Sequence, residues 1–331
     1  MSVNSRRSTR GSSPRSWPQT STSRSAIVTS SATFSGASRH AVRRRGAAFA
    51  FLAPGSAVLL VFVVVPILLI VGFSFFKRGR FGGVEFELTL DNFVRLVDPL
   101  YLGVVADSVV TATGVTILAL LLGYPTALVI SRLSPRWRTI ALVAILLPFW
   151  TNFLIRTYAL ILLFNNAGWI NQALLGLGIV TEPVVMLYTP QAVTVGLLYM
   201  YLPLMVLPLY SSLASQDVRL TEAAINLGAK PFRVFRTVTL PLSIPGALTG
   251  CIFVFVPAMS NFVIPELLGG GKTVLIGNLI RDQFLMARDW PFGAALALVL
   301  TAFLVILLVL QSRASRRLTE GRPVKAGPRN A

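Results

Sequence analysis

Six runs of apolar residues, separated by polar stretches, leave this chain few ways to fold; they lie at about 49–76, 104–130, 139–164, 191–213, 245–268 and 291–311. A helix rising about 1.5 Å per residue needs roughly 20 residues to cross about 30 Å of hydrocarbon, and each run meets that length. Helices are required there, because lipid offers no hydrogen-bond partner to open backbone. Hydrophobic residues make up 54% of the chain and charged ones 13%, a balance that suits a bilayer and not an ordinary soluble domain. The expected fold class is all-α integral membrane with six transmembrane helices. Pro54, Pro66, Pro125, Pro148, Pro203, Pro208 and Pro257 fall in these runs and predict kinks, tolerated where neighbouring helices satisfy the freed carbonyls.

The formal charge of +18 invites a nucleic-acid reading, yet the basic residues gather in loops and tails with no base-stacking platform beside them. They instead set an orientation. With a cytoplasmic N-terminus, residues 1–48, 131–138, 214–244 and 312–331 hold 22 basic and three acidic residues, against eight basic and nine acidic elsewhere. That asymmetry puts both termini and the loop after the fourth run on the cytoplasmic side of a multi-pass membrane protein. Residues 1–48, rich in Ser, Thr and Arg, bury too little apolar surface to offset the entropy of ordering and read as a disordered tail. Residues 49–312 form the six-span domain and 313–331 a second basic tail. Trp169 and Trp290 suit the headgroup level, and 170–177 reads as a short surface helix.

Between the fourth and fifth runs the polar insert is organised. From Arg219, Leu220, Ala223, Ala224 and Leu227 share one helical face, while Arg219, Glu222, Asn226 and Lys230 share another. Asp217 is placed to cap the helix start, Gly228 to end the helix in a left-handed turn, and Pro231 to open the next. Pro231, Val234, Phe235 and Val238 give that second helix an apolar stripe before Leu240-Pro241 returns the chain to the membrane. Two short helices at an angle make a rigid knob, which transmits displacement where a flexible linker absorbs it. The plainer alternative is an amphipathic helix lying on lipid headgroups.

Glu222-Ala223-Ala224, three residues, Gly228, then Leu240-Pro241 nine and one residues around a valine closely resembles the cytoplasmic coupling loop of the membrane subunits of ABC importers. The strings Leu88-Thr89-Leu90-Asp91-Asn92-Phe93, Leu122-Gly123-Tyr124-Pro125 and Pro148 through Tyr158 resemble the spermidine/putrescine-type branch. The resemblance implies a permease whose Glu222, Ala223, Ala224, Leu227, Gly228, Pro231, Leu240 and Pro241 engage a separate ABC ATPase dimer. It also implies a second permease subunit, homologous or identical, and an extracytoplasmic solute-binding protein. No cofactor is expected on this chain, ATP being bound by the partner subunit. Gly271-Lys272-Thr273 lacks the glycine five residues upstream that a phosphate-cradling loop needs, since Glu266 stands there.

A charge at the centre of a span costs about 2.5–3.5 kcal/mol on insertion scales and persists where water or partners line a cavity. Asp107 and Glu266 near span ends, and the stripe Trp150, Asn152, Arg156 and Tyr158, are therefore the candidates for a substrate path. Carboxylates and aromatic faces suit a polyamine; packing between helices and snorkelling are the structural alternatives. Sulfate, ferric ion or phosphonate are alternative cargoes. An ion-gradient-driven secondary transporter predicts inverted repeats and charge relays, and neither stands out. An enzyme is disfavoured: His40, the one histidine, lies in the basic tail, and Cys251 is a lone cysteine in an apolar span.

Overall fold

The computed structural model describes the backbone of residues 36–320 and the side chains of residues 55–315. The chain divides into two units, residues 1–61 and 62–331, and the packing described below lies within the second. Helix α1 (Gly36–Ser74) begins inside the stretch expected to lack order, so the boundary drawn at residue 48 does not coincide with a helix start. The rest of that expectation, residues 1–35, lies outside the described residues.

After α1 come a two-stranded antiparallel hairpin, β1 (Phe76–Arg78) and β2 (Val84–Leu88), and the short α2 (Asp91–Arg95). Then follow α3 (Pro99–Arg132), α4 (Pro135–Leu146), a 3₁₀ turn (Leu147–Trp150), α5 (Phe153–Phe164), α6 (Trp169–Gly176) and α7 (Pro190–Ala214). The remainder is α8 (Val218–Asn226), α9 (Pro231–Val234), a π turn (Phe235–Thr239), α10 (Leu240–Ser260), α11 (Val263–Gly269), α12 (Ile276–Leu285) and α13 (Trp290–Glu320). Six segments are long and apolar enough to cross a membrane: Gly55–Ser74, Pro99–Arg132, Phe153–Gly176, Pro190–Ala214, Pro231–Ser260 and Trp290–Ser315.

Two of the runs are not single helices. The third breaks at Thr151-Asn152, after Pro148 tightens the backbone into a 3₁₀ turn, and restarts where Asn152 Oδ1 accepts from Leu154 N at 2.8 Å. The fifth starts earlier than 245 and breaks at Asn261-Phe262, where Asn261 Oδ1 accepts from Ile264 N at 2.8 Å to open α11. Asparagine offers the backbone a side-chain partner that competes with the helix ladder, which is why each run breaks there. At the other boundary, α13 continues past the expected end at 311 into the basic tail.

The core is the triple contact of α3, α7 and α10. Ala112, Val115, Ala119 and Ala127 from α3 meet Val193, Leu197, Met205 and Leu209 from α7 and Val254 and Ala258 from α10. Small residues permit the close approach: a Cβ on Gly246 would lie 2.4 Å from Ser212 Cβ and 2.7 Å from Pro208 O. Phe62 to Leu69, by contrast, point their side chains away from the second unit's own core. At the end of the bundle remote from α8, Asp289 is fully buried and accepts from Arg95 at 2.9 Å, with Arg78 at 3.9 Å. Arg95 also stacks 4.0 Å over the Phe292 ring, so the hairpin, α2 and the start of α13 are held together.

Candidate functional site

Helix α8 forms where the spacing places a helix. Asp217 Oδ1 accepts from Arg219 N at 2.9 Å and caps it. At the other end Ala229 N donates to Ala224 O (3.1 Å) and Gly228 N to Ile225 O (2.8 Å), the paired bonds of a Schellman closure. That closure needs a left-handed residue, and Gly228 supplies it at φ +79° with open space around the missing Cβ. Nothing on α8 is fully buried. Leu227 is 87% exposed, Leu220 and Ile225 are exposed, and Glu222 and Ala223 lie open beside them, while Ala224 is half covered. An apolar stripe carrying two alanines thus stands free on a capped helix.

The second arm of the loop is not a separate helix. Pro231 opens α9, which runs through the π turn into α10, so Leu240 and Pro241 lie within a continuous helical rod from Pro231 to Ser260. Leu240 N donates to Phe235 O, five residues back, and the missing N–H of Pro241 follows immediately. Side chains from the end of α7 and the turn after it meet this stretch: Gln216 Nε2 donates to Thr239 O at 3.2 Å and Ser212 Oγ to Leu242 O at 3.4 Å. The knob is therefore one capped helix joined by a glycine turn to the extended tip of the fifth span.

The path candidates are not gathered in one place. Asp107 is exposed on α3, Trp150 is 79% exposed, and Tyr158 faces outward. Asn152 is occupied as the α5 cap. Arg156 turns inward, its guanidinium 5.3 Å from the Phe149 ring centroid and its Nε buried with no hydrogen-bond partner. Glu266 has company: Arg281 at 3.1 Å and Asn278 Nδ2 at 3.3 Å. Arg281 also binds Asp282 at 2.8 Å and faces Phe262. Asp282 first, then Glu266, raise the Arg281 guanidinium above its ordinary value, so it stays charged.

Sequence reading missed Arg281, Asp282, Asn278, Asn261 and Tyr201. Asn261 Nδ2 donates to Tyr201 OH at 2.7 Å, and Asn278 Nδ2 donates to Phe262 O at 2.8 Å. The available signal was the polar pair Ser260-Asn261 inside an apolar run, followed by Arg281-Asp282 near the start of the next. Together these side chains line the break between α10 and α11.

Six membrane-length segments, three of which contribute α3, α7 and α10 to the core, mark a multi-pass membrane protein, and the fold is shared with solved transporter chains. It matches a chain of a bacterial ABC transporter involved in the import of the acidic polysaccharide alginate, at TM-score 0.66 and 18% identity, over 86% of this chain and 99% of that one. A second structure of a bacterial alginate ABC transporter, in complex with an alginate pentasaccharide-bound periplasmic protein, matches at TM-score 0.67 and 17% identity over 85% and 97%. The chain belongs to the binding-protein-dependent transport system inner membrane components, the family its residues 116–320 match. The spermidine/putrescine transport system permease protein PotB of Escherichia coli (strain K12) is 44% identical over 262 residues, 79% of this chain and 95% of that protein. PotB of Haemophilus influenzae is 42% identical over 260 residues, 78% and 91%. The inner membrane ABC transporter permease protein YdcU of E. coli is 32% identical over 69% and 76%.

Proposed function

We propose that this chain is the permease subunit of an ATP-driven polyamine importer, and that α8 is the helix through which a separate ATPase drives it. The observation that carries the coupling role is the free apolar stripe of α8, Leu220, Ala223 and Leu227, on a helix capped at both ends and attached to the tip of the fifth span. A lipid-lying helix needs a broad apolar face with basic flanks; α8 has two alanines on that face and carries Glu222 beside it. Spermidine and putrescine as cargo rest on the PotB relatives of E. coli and H. influenzae, 44% and 42% identical and named for that transport.

ATP is bound by an ABC ATPase dimer, a second permease chain completes the path, and an extracytoplasmic solute-binding protein delivers the solute. The α8 end and both termini face the cytoplasm, as the basic residues dictate. Closure of the ATPase dimer draws α8 with it, and the displacement passes through the rod from Pro231 to Ser260. At the far end of that rod, Glu266 and Asp282 carry carboxylates and Phe262 an aromatic face, groups that Arg281 engages and for which a cationic solute competes. Asp107, Trp150, Asn152, Arg156 and Tyr158 remain candidates for the rest of the path.

The test is uptake by the complete complex in proteoliposomes. Glu222→Lys and Gly228→Pro are expected to cut ATP-dependent spermidine uptake by at least about tenfold, since each removes a contact or turn worth about 1–3 kcal/mol. Unchanged uptake together with unchanged capture of the ATPase overturns the coupling role.

A further inference from the structure

Helix α8 rests chiefly on α9 and the π turn. A cavity of about 400 Å³ separates it from the ends of α3 and α7, bordered by Ser131, Arg132, Gln216, Asp217, Thr221 and Ile225. A pull on α8 therefore reaches the bundle at the end of α7 and along the rod that continues into α10. The second route crosses the π turn, where one extra residue is inserted in the helical ladder and Pro241 withholds a donor. Left alone, such a turn bends and absorbs motion.

One side chain grips it from both sides. The ring of Tyr124, on α3, meets Phe235 at the start of the π turn edge-on, with centroids 5.9 Å apart at 84°. Its hydroxyl lies 2.9 Å from Ser243 Oγ, one turn past the π turn's end. Ser243 is fully buried and gives its single proton to Leu240 O at 2.9 Å. The Tyr124 hydroxyl must then donate to Ser243 Oγ. Nothing comparable bonds α3 to α8 itself among the described residues.

We propose that Tyr124 is a positioning residue for coupling: it clamps the π turn to α3, so that a displacement of α8 and α9 moves the second and fifth spans as one body. This rests on the coupling role of α8 and adds the route by which it acts. Tyr124→Phe keeps the ring and removes the hydroxyl; Ser243→Ala removes the acceptor.

The measurement is ATP hydrolysed per spermidine imported by the complete complex in proteoliposomes. Both variants are expected to raise that ratio about fivefold, the equivalent of one buried hydrogen bond, at an unchanged ATPase rate. The double variant is expected to add nothing, because both remove the same bond. A merely structural role would lower assembly and leave the ratio alone. Spin-label distances provide the second readout: on ATP binding α8 and the α8-side end of α3 are expected to move together in the parent, and α8 alone in Tyr124→Phe. A parental ratio and parental distances in both variants, while Glu222→Lys still uncouples, overturn the clamp and leave the α8 role standing. Coupled uptake in Glu222→Lys as well overturns both.

Discussion

Asp289 has no exposed side-chain surface, yet it carries a charge that two arginines share. Its Oδ1 also accepts from Phe292 N at 3.2 Å at the start of α13. Around it Arg78 donates to Ala287 O at 2.7 Å and Gly83 N to Arg288 O at 2.8 Å, so the hairpin is fastened to the segment before α13 by side chain and backbone alike. The arginines are 40–49% exposed and water repays part of their pairing. Asp289→Asn keeps an acceptor for Phe292 N and loses the charge, with an expected cost of about 1–2 kcal/mol; Asp289→Ala loses both and costs about 2–3 kcal/mol. The hairpin carries Arg78 and Arg80, so limited trypsin digestion of the purified complex reads the loosening directly. Faster cleavage at those arginines is expected in the order Ala, Asn, parent. Equal rates in all three would show that Asp289 does not hold the hairpin.

At the scale of elements, the long apolar runs made the six spans legible, because length and hydropathy alone decide whether a helix crosses. The α8 loop was legible for a different reason: Asp217, Gly228 and Pro231 each act on their own backbone, so their effect needs no tertiary partner. The breaks at Asn152 and Asn261 were not, since in an apolar run an asparagine is equally able to face a partner helix and leave the ladder intact. What decides is whether neighbours such as Tyr201 and Asn278 satisfy the opened segment, and that depends on packing across helices. The same holds for glycines. Gly246 and Gly114 look alike in sequence, yet a Cβ on Gly246 meets Ser212 and the Pro208 carbonyl, while one on Gly114 meets nothing within 4 Å. Gly246→Ala is expected to cost about 1–3 kcal/mol and to lower the thermal stability of the complex, because α7 and α10 must separate. Gly114→Ala is expected to be neutral or slightly stabilising through better helix propensity. Equal melting of the two variants would overturn the close α7–α10 contact.

At the scale of the molecule, the placement of apolar and charged side chains bears on where the driving force enters. Helices α3, α7 and α10 pack on one another, but the side chains of residues 62–69 and the middle of α13 stay open, including Val305, Ile306 and Leu310. Carboxylates and arginines concentrate at the α10–α11 break and at the hairpin, both at the end of the bundle remote from α8; among the described residues they do not form a chain across the bundle. A carrier driven by an ion gradient needs titratable or ion-coordinating groups that alternate between the two sides near mid-membrane. Among the described residues the charged groups show no such arrangement, and α8, a capped helix with an open apolar stripe, stands at one end of the bundle. If α8 has the coupling role proposed above, the energy enters from outside the chain. In proteoliposomes containing this chain with its ATPase, second permease chain and binding protein, spermidine uptake is expected to require internal ATP and the binding protein. It is also expected to persist when ionophores collapse the proton and sodium gradients. Uptake by this chain alone, or uptake that ionophores abolish at constant ATP, would place the driving force in an ion gradient and remove any need for α8 to meet an ATPase.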